Sequence, residues 1–415
     1  MSQSDEAGST DAWPGGVRPA HARGEREGSA PPVDQTLRVE IVADLAGIEA
    51  LTPDYRHLYE VTGNTLPYAT QEWHLAWCEH LLSRDPLMCQ EPLFCALRSS
   101  AGKCVAILPL ILTRKRFGPL KVAALALVGA DPALTELRDP LVAPGYERAT
   151  VRTLHELLAS MPGWDWIQWN GVSAALAEAL ALEAAPRWFE TLDDYVVDLR
   201  RSWPEYLATL SRKMRKNLRH DPLRRDGYDY QLVVARQPAE VRAALVRFLE
   251  LHTLRANMAS GTAHPDRFTT RPLRAFLHGA CERLAMRDAV RLFQLRIADQ
   301  IVASRIGFVL GDGLYLYYSG FEPAWAHYGV MTTMMVEVMR YAIASGLRSV
   351  NLSLLAEHSK IRWRPRRVDF YSALVHRDSL RSRLVCRAYH MTMSGQGVPG
   401  RLLKHLLQSS RRDWN

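Results

Sequence analysis

Residues 301–346 read IVASRIGFVLGDGLYLYYSGFEPAWAHYGVMTTMMVEVMRYAIASG and carry the clearest structural signal in this 415-residue chain. Two runs of alternating apolar residues flank Gly311-Asp312-Gly313, a pattern that predicts a β-hairpin. From Val330 to Ile343 the apolar residues recur with the 3.6-residue period of a helix, and Gly346 follows the last of them. The stretch therefore predicts two strands, a short connection and a packed helix.

The start of this helix is a candidate site for an anion. A strand that passes through a glycine turn into a helix leaves backbone N–H groups unpaired, and the positive end of the helix dipole adds to their attraction for phosphate. Gly329 lies at this point of the sequence. An ordinary strand–turn–helix unit without a ligand has the same spacing, so both interpretations stay open on this stretch alone.

The overall composition predicts a globular protein of the cytoplasm. The chain is long enough for two or three domains, and its 47% apolar residues can fill a core. Its first ten residues, MSQSDEAGST, are polar and do not read as a secretory signal. The six cysteines form no C-x-x-C pair, so we expect no disulfide framework and no metal site.

The net charge of +8 is concentrated in two regions. Nine Lys or Arg residues fall within 200–225, and thirteen fall within 360–415. Such clusters suit phosphate-bearing ligands, nucleic acid or an anionic membrane surface, which would place the protein peripherally at the inner face of the membrane. A solvated helix face has the same composition.

The pattern of elements predicts an α+β fold used twice. Residues 1–35 are poor in large apolar side chains and are expected to be disordered. Residues 36–200 and 201–380 each read as helices, antiparallel strands, a helix and a further strand, and 381–415 form a basic tail. In the second half, Ser202 begins a capping box and a helix whose apolar stripe continues to Leu218.

Several motifs in the second half resemble those of the acyl-CoA N-acyltransferase (GNAT) superfamily. They are SRKMRKNLRHDPLRRDG (211–227), the strands of 290–319, SGFEPAWAHYG (319–329) and KIRW (360–363). More narrowly, the chain resembles the CelD/BcsL branch of cellulose and exopolysaccharide biosynthesis proteins, which is similar to the FemAB-type tandem transferases. Where that branch has Asp-Phe-x-x-Gly, this chain has Asn351-Leu352-Ser353-Leu354-Leu355.

The resemblance implies two GNAT-like domains in tandem, each a mixed and mostly antiparallel sheet flanked by helices. It also implies acetyl-CoA or another acyl-CoA as the donor substrate. The pyrophosphate of the donor is then expected on the helix start, at Tyr328, Gly329, Val330, Met331 and Thr332.

The chemistry of N-acyl transfer adds further candidates. The attacking amine must lose a proton and the leaving thiolate must gain one. Tyr318 or its neighbour Tyr317 is a candidate to protonate the thiolate, and Glu322 or His327 is a candidate base. Because side chains alternate along a strand, one of the two tyrosines must face a core. Lys360, Arg362 and Trp363 form a cation–aromatic cluster expected to hold a phosphorylated or sugar-linked acceptor.

The leading hypothesis is an acyl-CoA-dependent N-acyltransferase acting on an amino sugar or related amine in exopolysaccharide or cell-surface polysaccharide biosynthesis. Its expected partners are that amine, the polysaccharide-synthesis machinery and the membrane. One alternative keeps the fold and takes an aminoacyl group from tRNA, as FemAB-type enzymes do, because the basic segments suit RNA. A second alternative is a non-catalytic scaffold with a degenerate transferase fold.

Overall fold

The computed structural model describes residues 36–117, 120–129, 131, 133–220, 222–258 and 264–393. The segment 1–35, expected to be disordered, lies outside the described residues, as do residues 394–415 of the basic tail. Within the described part of the chain, no helix combines the length and the apolar character needed to cross a bilayer.

The first half contains eight strands and five α-helices among the described residues. The strands are β1 (Arg38–Val42), β2 (Arg84–Asp85), β3 (Met88–Arg98), β4 (Cys104–Phe117), β5 (Leu120–Leu127), β6 (Leu141–Val142), β7 (Trp166–Val172) and β8 (Arg187–Asp198). The helices are α1 (Leu45–Ala50), α2 (Thr52–Thr62), α3 (Gln71–His80), α4 (Glu147–Ser160) and α5 (Ala174–Glu183), with a 3₁₀ turn at Pro67–Ala69.

After three short helices, the second half repeats the main order of the first half, which is a strand, helices, three antiparallel strands and then alternating helices and strands. Its helices are α6 (Trp203–Thr209), α7 (Arg212–Arg219), α8 (Pro222–Arg225), α9 (Pro238–Ala256), α10 (Arg271–Met286), α11 (Val330–Ala344), α12 (His358–Ile361) and α13 (Leu380–Met393), with a 3₁₀ turn at Pro323–Tyr328. Its strands are β9 (Tyr230–Ala235), β10 (Val290–Ile297), β11 (Gln300–Leu310), β12 (Gly313–Phe321), β13 (Ser349–Leu354) and β14 (Arg366–His376). The predicted hairpin and the helix after it are confirmed as β11, β12 and α11.

All of these strands belong to one mixed sheet. The order along it is β1-β3-β4-β5-β7-β14-β8-β13-β12-β11-β10-β9, while β2 pairs with β3 and β6 with β4. Most neighbours are antiparallel, and the two parallel pairs are β5 with β7 and β12 with β13. The predicted α+β class, with helices against a mixed and mostly antiparallel sheet, is confirmed.

Strand β14 ties the two halves together. It lies between β7 and β8, two strands of the first half, and it is antiparallel to both. Strand β8 in turn pairs with β13 of the second half. The expected boundary near residues 200 and 201 therefore falls in the chain between β8 and α6, and the sheet is continuous across it.

Both large cores contain residues of both halves, since β8 contributes to the second of them as well. Trp73 of α3 is fully buried and meets Phe276 of α10 edge to face, with 4.9 Å between ring centroids. Its indole N–H donates to the Thr135 hydroxyl at 3.1 Å. The second core packs α6, α7 and α11 on the opposite face of β10 to β13. Aromatic packing of this kind adds to the area buried.

The sequence predicts one helix from Trp203 to Leu218. This prediction is wrong in one respect, because the structure has two helices there with a break between them. Leu210 is extended, with ψ at 157°, and Ser211 then begins a new helix by accepting a hydrogen bond from the Met214 N–H at 3.2 Å. Leu210 and Met214 are both buried, so the apolar stripe continues through the break. A stripe of apolar residues indicates which face is buried, whereas the serine cap determines where the helix starts.

Candidate functional site

The connection from β12 to α11 prepares an exposed helix start. Gly329 has φ at 67° and precedes α11 as its N-cap, and no side chain caps the helix. A Cβ at Gly329 would meet nothing within 4 Å, so the backbone conformation rather than space favours glycine here. The first turn of α11 carries no acidic residue. This arrangement leaves N–H groups available to an anion.

A cavity of about 460 Å³ lies beside this helix start, and we call it the basic cavity. Its lining includes Gly329, Thr332 and Thr333. Its arginine lining residues come from several elements and are Arg219, Arg224, Arg340 and Arg362, and His220 also lines it. No acidic residue lines the basic cavity within the described part of the chain. Hydroxyls, helix N–H groups and guanidinium groups together form an environment suited to phosphate.

Packing holds three of these arginines in place. Arg362 donates from Nη2 to the Thr332 hydroxyl at 2.9 Å, and burial lowers its pKa. Arg224 lies over the Tyr230 ring at 5.1 Å, and Arg340 lies over the Trp203 ring at 5.2 Å. Arg340 also forms an ion pair with Glu337 at 3.0 Å. Cation–aromatic contacts of this kind restrict the side chains beside the cavity.

Of the five residues expected to bind the donor, three line the basic cavity and two face the core beneath it. Tyr328, Gly329 and Thr332 line the basic cavity. Val330 is 1% exposed and points into the core beneath α11, and Met331 packs against the same core. At these two positions only the backbone N–H is suitably placed for a ligand, which is the group that an anion at a helix start uses.

The parallel strands β12 and β13 pair only from Gly313 to Tyr315 and then diverge. A segment of the first half, residues 133–136, lies against β12 at this point. The hydroxyl of Tyr317 donates to the Leu134 carbonyl at 2.7 Å, and that of Tyr318 donates to the Ala133 carbonyl. The first half therefore covers one face of the divergence.

Glu136 places a carboxylate at this divergence. Its oxygens accept hydrogen bonds from the Ser353 hydroxyl at 2.6 and 2.7 Å, and from the hydroxyl of Tyr315. Ser353, near the end of β13, has φ at 69°, and its N–H donates to Asn351 Oδ1 at 2.7 Å. Backbone strain in a non-glycine residue often accompanies a functional site. Sequence reasoning missed Glu136 because its partners lie 179 and 217 residues along the chain.

Three cationic side chains lie near the same divergence. The Arg305 Nε atom is buried without a hydrogen-bond partner among the described residues, and burial lowers the pKa of Arg305 to about 10. Arg255 donates to the Ser319 hydroxyl at 2.7 Å. Lys360 donates to the Leu354 carbonyl, and desolvation lowers its pKa. Positive charge in a buried site can stabilise a developing oxyanion.

The residues predicted for proton transfer have separate partners. Tyr318 packs edge to face on Phe268 at 5.5 Å, and burial raises its pKa well above the usual value. Glu322 is half-buried and forms an ion pair with Arg247 at 3.3 Å. His327 is exposed in the 3₁₀ turn, where its ring lies tilted against that of Tyr328 with 4.0 Å between the centroids.

The predicted acceptor cluster is kept together only in part, since the Arg362 guanidinium lies over the Trp363 ring at 5.7 Å and Lys360 is directed elsewhere. Lys360 lies at the divergence of β12 and β13, whereas Arg362 lines the basic cavity. Trp363 is 1% exposed in the second core, and its carbonyl accepts a hydrogen bond from Tyr206 at 2.8 Å.

Comparison with protein families finds one match. The model described as acetyltransferase (GNAT) domain matches residues 208–360, which is less than half of the chain. The matched range contains α11, most of the basic cavity and both diverging strands. No curated protein matches this sequence.

Solved structures with a similar arrangement include FemX, at 11% identity and a TM-score of 0.48 over 72% of this chain and 95% of that one. The C-terminal domain of a putative lysylphosphatidylglycerol synthetase from Agrobacterium fabrum is 13% identical, with a TM-score of 0.46 over 81% and 97%. A tandem GNAT protein from the clavulanic acid biosynthesis pathway is 13% identical, with a TM-score of 0.41 over 82% and 99%.

Proposed function

We propose that this acyltransferase moves an acyl group from acetyl-CoA or another acyl-CoA to an amine. Its matched domain is of the acetyltransferase type. We further propose an amino sugar or related amine as the acceptor, in exopolysaccharide or cell-surface polysaccharide biosynthesis. The basic cavity at the start of α11 carries the proposal. It combines uncapped helix N–H groups, the Thr332 hydroxyl and arginine side chains in the way that a pyrophosphate-bearing donor requires.

The transfer step would take place where β12 and β13 diverge. The neutral amine attacks the thioester carbonyl, the C–N bond forms, and the C–S bond breaks as the thiolate leaves. Glu136 is the first candidate to take the proton from the amine, because it is the carboxylate held at this point by Ser353 and Tyr315. Arg305 and Lys360 would stabilise negative charge on the carbonyl oxygen.

The leaving thiolate needs a proton, and Tyr318 remains the candidate to supply it. Its hydroxyl is held by the Ala133 carbonyl, and burial keeps it protonated at neutral pH. Glu322 and His327 remain candidates for proton transfer through water. Their partners lie away from Glu136, so we rank them after it.

The donor site is tested by removing charge from the basic cavity. We expect Arg219→Gln and Arg362→Gln each to weaken acetyl-CoA binding roughly tenfold, since a hydrogen bond to a charged group is worth about 1.5–3 kcal/mol. Isothermal titration calorimetry measures the change. Arg242→Gln is the matched control, because Arg242 is exposed on α9 and paired with Glu282 at 2.7 Å. Equal affinity in all four proteins would exclude the basic cavity as the donor site.

The role of Glu136 is tested with Glu136→Gln, which keeps the size of the side chain. We expect thiol release from acetyl-CoA in the presence of a panel of hexosamines to fall about 10²-fold or more, with acetyl-CoA affinity unchanged. Ser353→Ala keeps the carboxylate and removes the hydroxyl that contacts both of its oxygens, so it should lower thiol release less than Glu136→Gln does. If Glu136→Gln retains full turnover, Glu136 is not the base.

The exposed face of α7 gives the tRNA-dependent alternative its support. Arg212, Lys213 and Lys216 are all exposed there and could contact RNA phosphates. The purified protein distinguishes the two donors. Mass spectrometry that finds bound CoA favours the first, whereas RNA that co-purifies and carries amino acid favours the second.

A further inference from the structure

A second cavity, also about 460 Å³, lies where the two halves meet, and we call it the junction cavity. It shares no lining residue with the basic cavity among the described residues. Its charged lining is mainly acidic and consists of Asp139, Glu147, Asp194, Asp312 and Arg366. The two cavities therefore differ in the charge of ligand that they favour.

Asp194 of the junction cavity has one carboxylate oxygen without a partner among the described residues. Its side chain belongs to β8 and is 2% exposed. One carboxylate oxygen accepts a hydrogen bond from Asn351 Nδ2 at 2.6 Å. The other, Oδ1, is buried without a hydrogen-bond partner among the described residues. A buried carboxylate oxygen without a donor is costly, and a cationic ligand would satisfy it.

Of the remaining acidic groups of the cavity, Asp312 forms an ion pair with Arg348 at 3.8 Å, and the other two are held in place by the backbone. The carboxylate of Asp139 accepts from the Ser173 N–H at 2.9 Å, and that of Glu147 accepts from the Gly145 N–H at 2.9 Å. Desolvation raises the pKa of Asp139 to about 6. Arg366 is the only basic residue in the described lining, so the potential inside the cavity favours a cation.

We propose that the junction cavity binds a small cationic amine, with the ammonium group against Asp194 Oδ1. The volume suits a molecule of hexosamine size or smaller. Tyr315 lines this cavity and donates to Glu136, which connects it to the divergence of β12 and β13. The bound amine is therefore the acyl acceptor, and that identification rests on the proposed function. Binding itself does not depend on it.

The test is titration of the full chain with glucosamine, ethanolamine and putrescine, and with N-acetylglucosamine as a neutral match for glucosamine. We expect at least one of the three amines to bind, and N-acetylglucosamine to bind at least tenfold more weakly than glucosamine if glucosamine is that ligand. Asp194→Asn should weaken amine binding at least tenfold. Asp198→Asn is the control, because Asp198 lies on the same strand, exposed and paired with Arg200 at 2.6 Å.

Three results would overturn the inference. They are no binding of any amine, equal binding by the Asp194→Asn variant, and equal binding of the neutral sugar. Acetyl-CoA titrated into the same samples separates this inference from the proposed function. Binding of acetyl-CoA without amine binding contradicts only the junction site, whereas amine binding without acetyl-CoA binding contradicts the donor assignment and retains the site. Unchanged acetyl-CoA affinity of Asp194→Asn also shows that this variant is folded.

Discussion

Leu355 adopts a left-handed backbone conformation, with φ at 76°, immediately after β13. It occupies the position at which the CelD/BcsL-like pattern has glycine. A left-handed conformation costs an L-residue about 1–2 kcal/mol, and this side chain is 66% exposed, so little packing is lost without it. We expect Leu355→Gly to raise the free energy of unfolding by about 0.5–1 kcal/mol in urea denaturation, after the entropy cost of glycine.

Leu87→Gly is the control for this prediction. Leu87 is 64% exposed in the turn between β2 and β3, and its φ is not positive. Glycine there adds entropy to the unfolded chain and relieves no strain, so stability should fall. If the two variants lose stability equally, Leu355 does not store backbone strain.

Asp139 makes the stability of the protein dependent on pH. Desolvation raises its pKa to about 6 from an ordinary value of 3.8. A carboxyl whose pKa is higher in the folded state binds its proton more tightly there, so its contribution is fully present below pH 4 and is lost as the pH rises through 6. We expect Asp139→Asn to abolish up to roughly 2 kcal/mol of this decline between pH 4.5 and pH 7, measured by urea denaturation across that range.

Asp198→Asn provides the opposite case. Arg200 lowers the pKa of Asp198 to about 2, so this carboxyl stays ionised throughout the same range. The variant should keep the slope of the wild-type protein. A slope that Asp139→Asn also keeps would show that Asp139 titrates normally.

Helix α7 connects the serine cap at Ser211 to the basic cavity. Losing an N-cap side chain costs about 1 kcal/mol, and fraying of α7 would displace Arg219. We expect Ser211→Ala to raise the KM for acyl-CoA several-fold with little change in kcat. Asp44→Ala removes the cap of α1, where Asp44 accepts from the Gly47 N–H at 2.7 Å, and α1 contributes no lining residue in the described chain, so this variant should lower stability without changing KM. Equal KM values for both variants would contradict this role of α7.

Elements formed by local sequence signals could be predicted from the sequence. The hairpin expected around Gly311-Asp312-Gly313 and the helix expected from Val330 agree with the structure, because turn residues and periodicity are properties of adjacent residues. The position of β14 between β7 and β8 could not be predicted, because both partners are distant in the chain. The break at Leu210 was missed because the buried face is continuous through it.

The candidate site likewise has a part that local sequence signals predict and a part that they do not. The start of α11 was predicted from its glycine and its helical period, both of which are local. Arg219 belongs to a basic run in the sequence, but no local signal indicates that it lines the same cavity as the start of α11. Glu136 and Asp194 gave no sequence signal, because each gains its significance from a contact with the other half of the chain.

The continuous sheet predicts that the molecule unfolds as one unit. Without residues 366–376, β7 and β8 lose their shared neighbour, and without β13 the other edge of β8 is also unpaired. We expect a single thermal transition for the full chain and no cooperative transition for a fragment of residues 36–200. Circular dichroism during heating measures both.

Co-expression of fragments 36–200 and 201–393 tests the same point from the other direction. The two should associate and recover a cooperative transition, since together they contain every strand of the described sheet. A folded, monomeric fragment 36–200 would contradict the prediction.

The place of β14 in the sheet also has a consequence during synthesis on the ribosome. Chains emerge from the N-terminus, so β7 and β8 are made long before the residues that separate them. Through the translation of roughly half of the protein, both strands carry edges whose permanent partner does not yet exist. Open edges of this kind pair readily with other chains. The sheet of a nascent chain can therefore close only after residue 376 has been made. A chain that is released from a ribosome stalled before this residue is prone to aggregation.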